Sequence, residues 1–99
     1  MTYRTETVSS VADPNLSSLS HVVFYDTSGG AGGTITLPTA VRGKEILLIR
    51  TVGTNGATVA GGGGNINGAA TQALPTTLYT TVKLISDGTN WFANTLTAL

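Results

Sequence analysis

The chain has 99 residues, no formal net charge at pH 7, 13 glycines, no cysteine and only 10% charged residues, against about 25% in an average soluble domain. That length allows one domain at most, and the lack of cysteine excludes a disulfide framework and a thiolate metal site. Five cations balanced by five anions, with no basic cluster, argue against nucleic acid as the main partner.

Residues 1–10 alternate weakly, as a solvated edge strand or an extended arm does. Ala12-Asp13-Pro14-Asn15 is a turn signal, because Pro fixes φ and Asp and Asn bond their own backbone. A Ser/Leu connector follows to residue 20. His21-Val22-Val23-Phe24-Tyr25-Asp26 is a strand, and the glycine-rich run 27–33 predicts a hairpin into Thr34-Ile35-Thr36-Leu37, which Pro38 ends. A strand is expected from Glu45 to Val52. Asn55-Gly56 suits a type I′ hairpin into a short strand at 57–60.

Gly61 to Gly64 costs too much backbone entropy to be a strand interior, so it reads as a loop or a place where another backbone comes close. Asn65-Ile66-Asn67-Gly68 is a short strand and turn. A strand rich in β-branched residues is expected within 77–85, a turn at Asp87-Gly88, and a final strand from Trp91 to Leu96. No capped run at helical spacing occurs, so the class is all-β: a small antiparallel β-sandwich or barrel. Leu37-Pro38-Thr39 before one strand and Gly53-Thr54-Asn55 after it are matched by Leu74-Pro75-Thr76 and Gly88-Thr89-Asn90, a weak internal repeat. The division expected is an N-terminal arm and connector over 1–20 and a β domain over 21–99.

Two strands carry too many apolar residues. Side chains alternate between faces, so Ile46 and Leu48 point one way while Leu47 and Ile49 point the other; Val22 and Phe24 stand against Val23 and Tyr25 in the same way. Both faces therefore need cover. A thick loop would serve, but a neighbouring copy of the chain is the simpler solution, and Val22, Phe24, Ile46, Leu47, Leu48 and Ile49 are the expected oligomer interface.

No constellation fits a catalyst. His21 is the one histidine and stands at a strand start, with no distinguishable nucleophile as partner. Asp13, Asp26 and Asp87 lie in turn contexts, and Asp87-Gly88-Thr89-Asn90 lacks the alternating acids and distant Glu of a calcium loop. Trp91 invites a sugar-stacking role, yet a lone Trp after an Asp-Gly turn more often plugs a small core. The expectation is a protein that is not an enzyme, with no cofactor, metal or catalytic residue. No signal-like leader is evident, and the apolar runs are too short to span a bilayer, which suggests a soluble product of a cytoplasm with no membrane partner.

Ile35-Thr36-Leu37-Pro38, the passage from Thr58-Val59 to Asn67-Gly68 and Ser86-Asp87-Gly88-Thr89-Asn90-Trp91 resemble segments of virion structural proteins of tailed bacteriophages. Capsid decoration (cement) proteins and tail-fibre modules both carry such runs. The resemblance implies a jelly-roll or β-tulip-like homotrimer made in the host cytoplasm and placed on the capsid surface of the virion, with the major capsid protein as partner. The chain starts with Met1 and shows no shaft repeats, which favours a stand-alone decoration protein over a fibre part. Tyr3, Arg4, Thr5, Glu6, Thr7 and Val8 are then the expected capsid-binding arm, adding a strand to a capsid-protein edge. The alternative is a tail-fibre or receptor-binding module that touches host glycan through Trp91 or the glycine loops.

Overall fold

The computed structural model describes residues 4–98. Among them are eight strands: β1 (Thr5–Ser9), β2 (Val22–Asp26), β3 (Gly33–Thr36), β4 (Glu45–Val52), β5 (Ala57–Ala60), β6 (Thr71–Ala73), β7 (Thr81–Ser86) and β8 (Trp91–Leu96). One 3-10 turn, Ser10–Ala12, follows β1, and no α-helix is present among the described residues. The all-β class is as the sequence predicts.

The strands form a five-stranded sheet in the order β1-β2-β4-β7-β8 and a three-stranded sheet in the order β3-β5-β6. Both are mixed. β1 pairs β2, β2 pairs β4, and β3 pairs β5, all in parallel. The pairs β4–β7, β7–β8 and β5–β6 are antiparallel. A wholly antiparallel sandwich and a closed barrel are therefore both corrected to two open mixed sheets.

The cause lies in the connections. Neither expected hairpin forms: from β2 the chain crosses to the other sheet as β3, returns as β4 and crosses again as β5. Each return enters its sheet in the direction of the strand before it, which makes neighbours parallel. Asn15 bridges Thr36 in parallel as well, so the first part of the chain runs as a flat coil alternating between two layers. From β7 onward a hairpin replaces the coil. Asn55-Gly56 makes no type I′ turn, because neither residue has positive φ; that geometry belongs to Asn67 (φ 48°) and Gly68 (φ 86°). Ile66 and Ala69 close that turn with two backbone hydrogen bonds, of 2.6 and 3.1 Å. The strand β6 has no counterpart in the sequence reading.

The internal repeat places β4 and β7 side by side, but β4 leads across to β5 whereas β7 turns back to β8 in its own sheet. The core lies between the layers. Val23 and Tyr25 of β2, Ile46 and Leu48 of β4, Val82 and Leu84 of β7 and Trp91 of β8 face Ile35 of β3 and Val59 of β5, with Leu16, Leu37, Ile66 and Leu74 closing the ends. Strict alternation of burial along β2, β4 and β7 shows one face of the larger sheet turned inward and one outward.

Residues 61–64 pass close to other backbone, as the glycine run predicts. A Cβ on Gly62 would meet the carbonyl of Leu37, and one on Gly64 that of Thr89. The residues expected as an arm also have a definite place. Thr5–Ser9 is paired residue by residue with Val22–Asp26, so the 20/21 boundary falls between two strands of one sheet.

Candidate functional site

The outward face of the five-stranded sheet is the surface that stands out chemically. Register and alternation place Val22 and Phe24 of β2, Leu47 and Ile49 of β4, Ile85 of β7, and Phe92 and Leu96 of β8 on it. They fall in three rows across the strands: Glu45–Ile85–Phe92, then Val22–Leu47–Lys83–Asn94, then Phe24–Ile49–Thr81–Leu96. Ile85, Phe92 and Leu96 are 40%, 51% and 52% exposed. Glu45 and Lys83 supply the charge, paired at 3.2 Å and both half-exposed. Thr5 and Thr7 of β1 border the face on one side.

Four of the six residues expected at an oligomer interface, Val22, Phe24, Leu47 and Ile49, are brought together here. Ile46 and Leu48 are not: both are 0% exposed in the core, since a period of two must send them to the opposite face. The sequence reading missed Ile85, Phe92 and Leu96. A signal existed, because Trp91 and Phe92 are adjacent in one strand and only one of them can enter the core.

At one end of this face a hollow of about 190 Å³ is lined by Val22, Leu47, His21 and Glu45. His21 Nδ1 accepts the Arg4 backbone N–H at 3.4 Å. On the expected arm, Tyr3 lies outside the described residues. Glu6 folds inward and accepts hydrogen bonds from Ser17 N at 3.1 Å and Ser20 Oγ at 2.9 Å, and Val8 packs on the core. Arg4, Thr5 and Thr7 remain exposed. The Arg4 carbonyl accepts from Val22 N, so by alternation the peptide groups of Thr5 and Thr7 point to the free edge of the sheet.

The charged group that sequence reasoning missed is Arg50, fully buried in β4. Its Nε and Nη2 donate to the Pro75 carbonyl at 2.9 and 2.6 Å, and Nη1 donates to Thr27 Oγ1, Gly53 O and Asn55 O at 2.6, 3.1 and 3.0 Å. Its guanidinium carbon lies 5.1 Å from the Tyr25 ring centre. Burial pushes the Tyr25 phenol above its ordinary value, with Arg50 opposing. All of these acceptors are neutral, so the cation ties three loops together.

The turn acids do structural work. Asp87 Oδ1 accepts the N–H groups of Thr89 and Asn90 at 2.9 and 2.8 Å, and these bonds hold its carboxyl below the ordinary range. Asp26 is lowered in the same sense by Ser28. No three His, Cys, Asp or Glu residues group as metal ligands among the described residues. Trp91 is 0% exposed, which removes it as a sugar-stacking platform: its ring fills the core between the layers. No helix among the described residues is long and apolar enough to cross a membrane.

No family model matches the chain, and no curated protein matches it significantly.

Proposed function

We propose that this chain is a structural virion protein rather than an enzyme, which binds the outside of an assembled phage capsid as a homotrimer and stabilises the shell. The observation that carries this reading is the outward face of the five-stranded sheet, where exposed Ile85, Phe92 and Leu96 adjoin part-buried Val22, Phe24, Leu47 and Ile49, on a chain poor in charge. An apolar patch rimmed and crossed by a few polar side chains marks association with protein. A shell protein gains from such chemistry, because weak contacts repeated over a lattice act together and bind only the assembled state. The free edge of β1, with the outward peptides of Thr5 and Thr7, is the place where the major capsid protein would add a strand.

The tail-fibre reading draws support from a different observation. The parallel coil from β1 to β5 is the way a chain stacks layers into an elongated body. Glycan contact would then fall to the glycine loops, since Trp91 is buried.

Copy number per purified virion, measured by quantitative mass spectrometry against the major capsid protein, tests the two. A lattice protein recurs on the order of hundreds of times and a tail part about three to a few tens. Absence from the particle overturns both.

A further inference from the structure

We infer that the outward face of the five-stranded sheet is covered by a second copy of this chain, with Phe92 of one copy seated in the hollow between β2 and β4 of the next. This rests on the self-association in the proposed function and names the surface and the anchoring side chain that produce it.

The hollow and the anchor lie on the same face but on different strands. Val22 and Leu47 line the hollow with His21 and Glu45, and its volume of about 190 Å³ exceeds the about 150 Å³ of an apolar cavity that takes a benzene ring. Phe92 stands on β8, in the row that runs Glu45–Ile85–Phe92, and half of its surface is open to solvent. One side of the face is thus recessed and the other projects. A copy cannot satisfy its own hollow, because β7 separates β4 from β8.

Area and charge both point to the same occupant. Five strands about 4.8 Å apart and three rows about 6.7 Å apart give a face of about 24 by 20 Å, or about 480 Å² per copy. Two copies then bury at most about 960 Å², the range of weak or transient association, which suits a contact that forms at tens of micromolar. The one ion pair on the face, Glu45 with Lys83, presents a charge of each sign, so an opposing copy offers a lysine to a glutamate and a glutamate to a lysine. A strongly charged partner would leave its excess charge unpaired against this surface.

The test uses the intact chain at tens of micromolar. Sedimentation velocity is expected to show an oligomer for the native sequence and a monomer for Phe92→Asp, whose melting temperature measured at low concentration should stay within about 3 °C of the parent because the side chain is exposed. The absence of native cysteine permits a second measurement that does not depend on the charge. Val22→Cys and Phe92→Cys chains, mixed and oxidised, should form the mixed disulfide in preference to either symmetric one. A monomeric native chain, an oligomer unaffected by Phe92→Asp, or the lack of a mixed disulfide overturns the inference. A dimer with these properties would retain the contact and remove the proposed trimer, and copy number per virion judges the virion reading separately.

Discussion

Trp91 and Phe92 are neighbours with opposite duties. Trp91 fills the core and Phe92 faces out, so Trp91→Ala should cost about 3–5 kcal/mol, while Phe92→Ala at a concentration too low for association should cost within about 0.5 kcal/mol. Urea unfolding of both variants gives the comparison directly. Arg50 is a second case in which one side chain governs a region. Its five hydrogen bonds reach Thr27, Gly53, Asn55 and Pro75, and Arg50→Ala takes that donor from one buried oxygen and three part-buried ones. We expect a loss of about 3 kcal/mol, from the charge-assisted hydrogen bonds and the packing that go with the side chain. Arg50→Lys should recover less than half of it, because an ammonium cannot reproduce the planar fork that serves Pro75 through two nitrogens.

Among the elements, β1 changes the meaning of the N-terminal segment. It was legible as either an edge strand or an arm, and its pairing with β2 makes removal of the whole segment a test of folding as well as of binding. Single proline substitutions separate the two. Thr7 directs its N–H to the free edge, so Thr7→Pro should leave the melting temperature nearly unchanged while blocking strand addition there. Val8 directs its N–H to β2 by the same alternation, so Val8→Pro should cost about 3 kcal/mol or more. Thermal melting of the two variants checks the assignment, and capsid binding by Thr7→Pro reports on the edge alone.

At the scale of the molecule, the few carboxylates set the response to acid. Asp26 and Asp87 both have folded-state values held below the ordinary one by hydrogen bonds. Their contribution is therefore present above the ordinary carboxylate value of about 4 and is lost as pH falls through the lower folded values. The melting temperature should hold steady from about pH 5 upward and decline below about pH 4. Asp87→Ala should lower the plateau and make that decline shallower, which a series of melts across pH will show.

The sequence by itself determined the all-β class, most strand positions, the buried place of Trp91 and the excess of apolar side chains on β2 and β4. Each is a local property: a period of two, a β-branched run or a glycine-rich break is written in consecutive residues. It also carried the conflict that Leu47 and Ile49 cannot share the core with Ile46 and Leu48. The tertiary structure alone decided whether consecutive strands pair or cross to the other layer, since the loops after β2 and β4 hold turn residues compatible with either course. Crossing made the sheets mixed, and it took the expected hairpins away. It also left β7 to pair with β4 and β8 to pair with β7, which put Phe92 and Leu96 on the same face as Val22 and Leu47, and it folded the loops at Thr27, Gly53 and Pro75 around Arg50. Apart from the bonds of Arg50 to the nearby Gly53 loop, such contacts join residues far apart in the chain, and no spacing within it encodes which of them will meet.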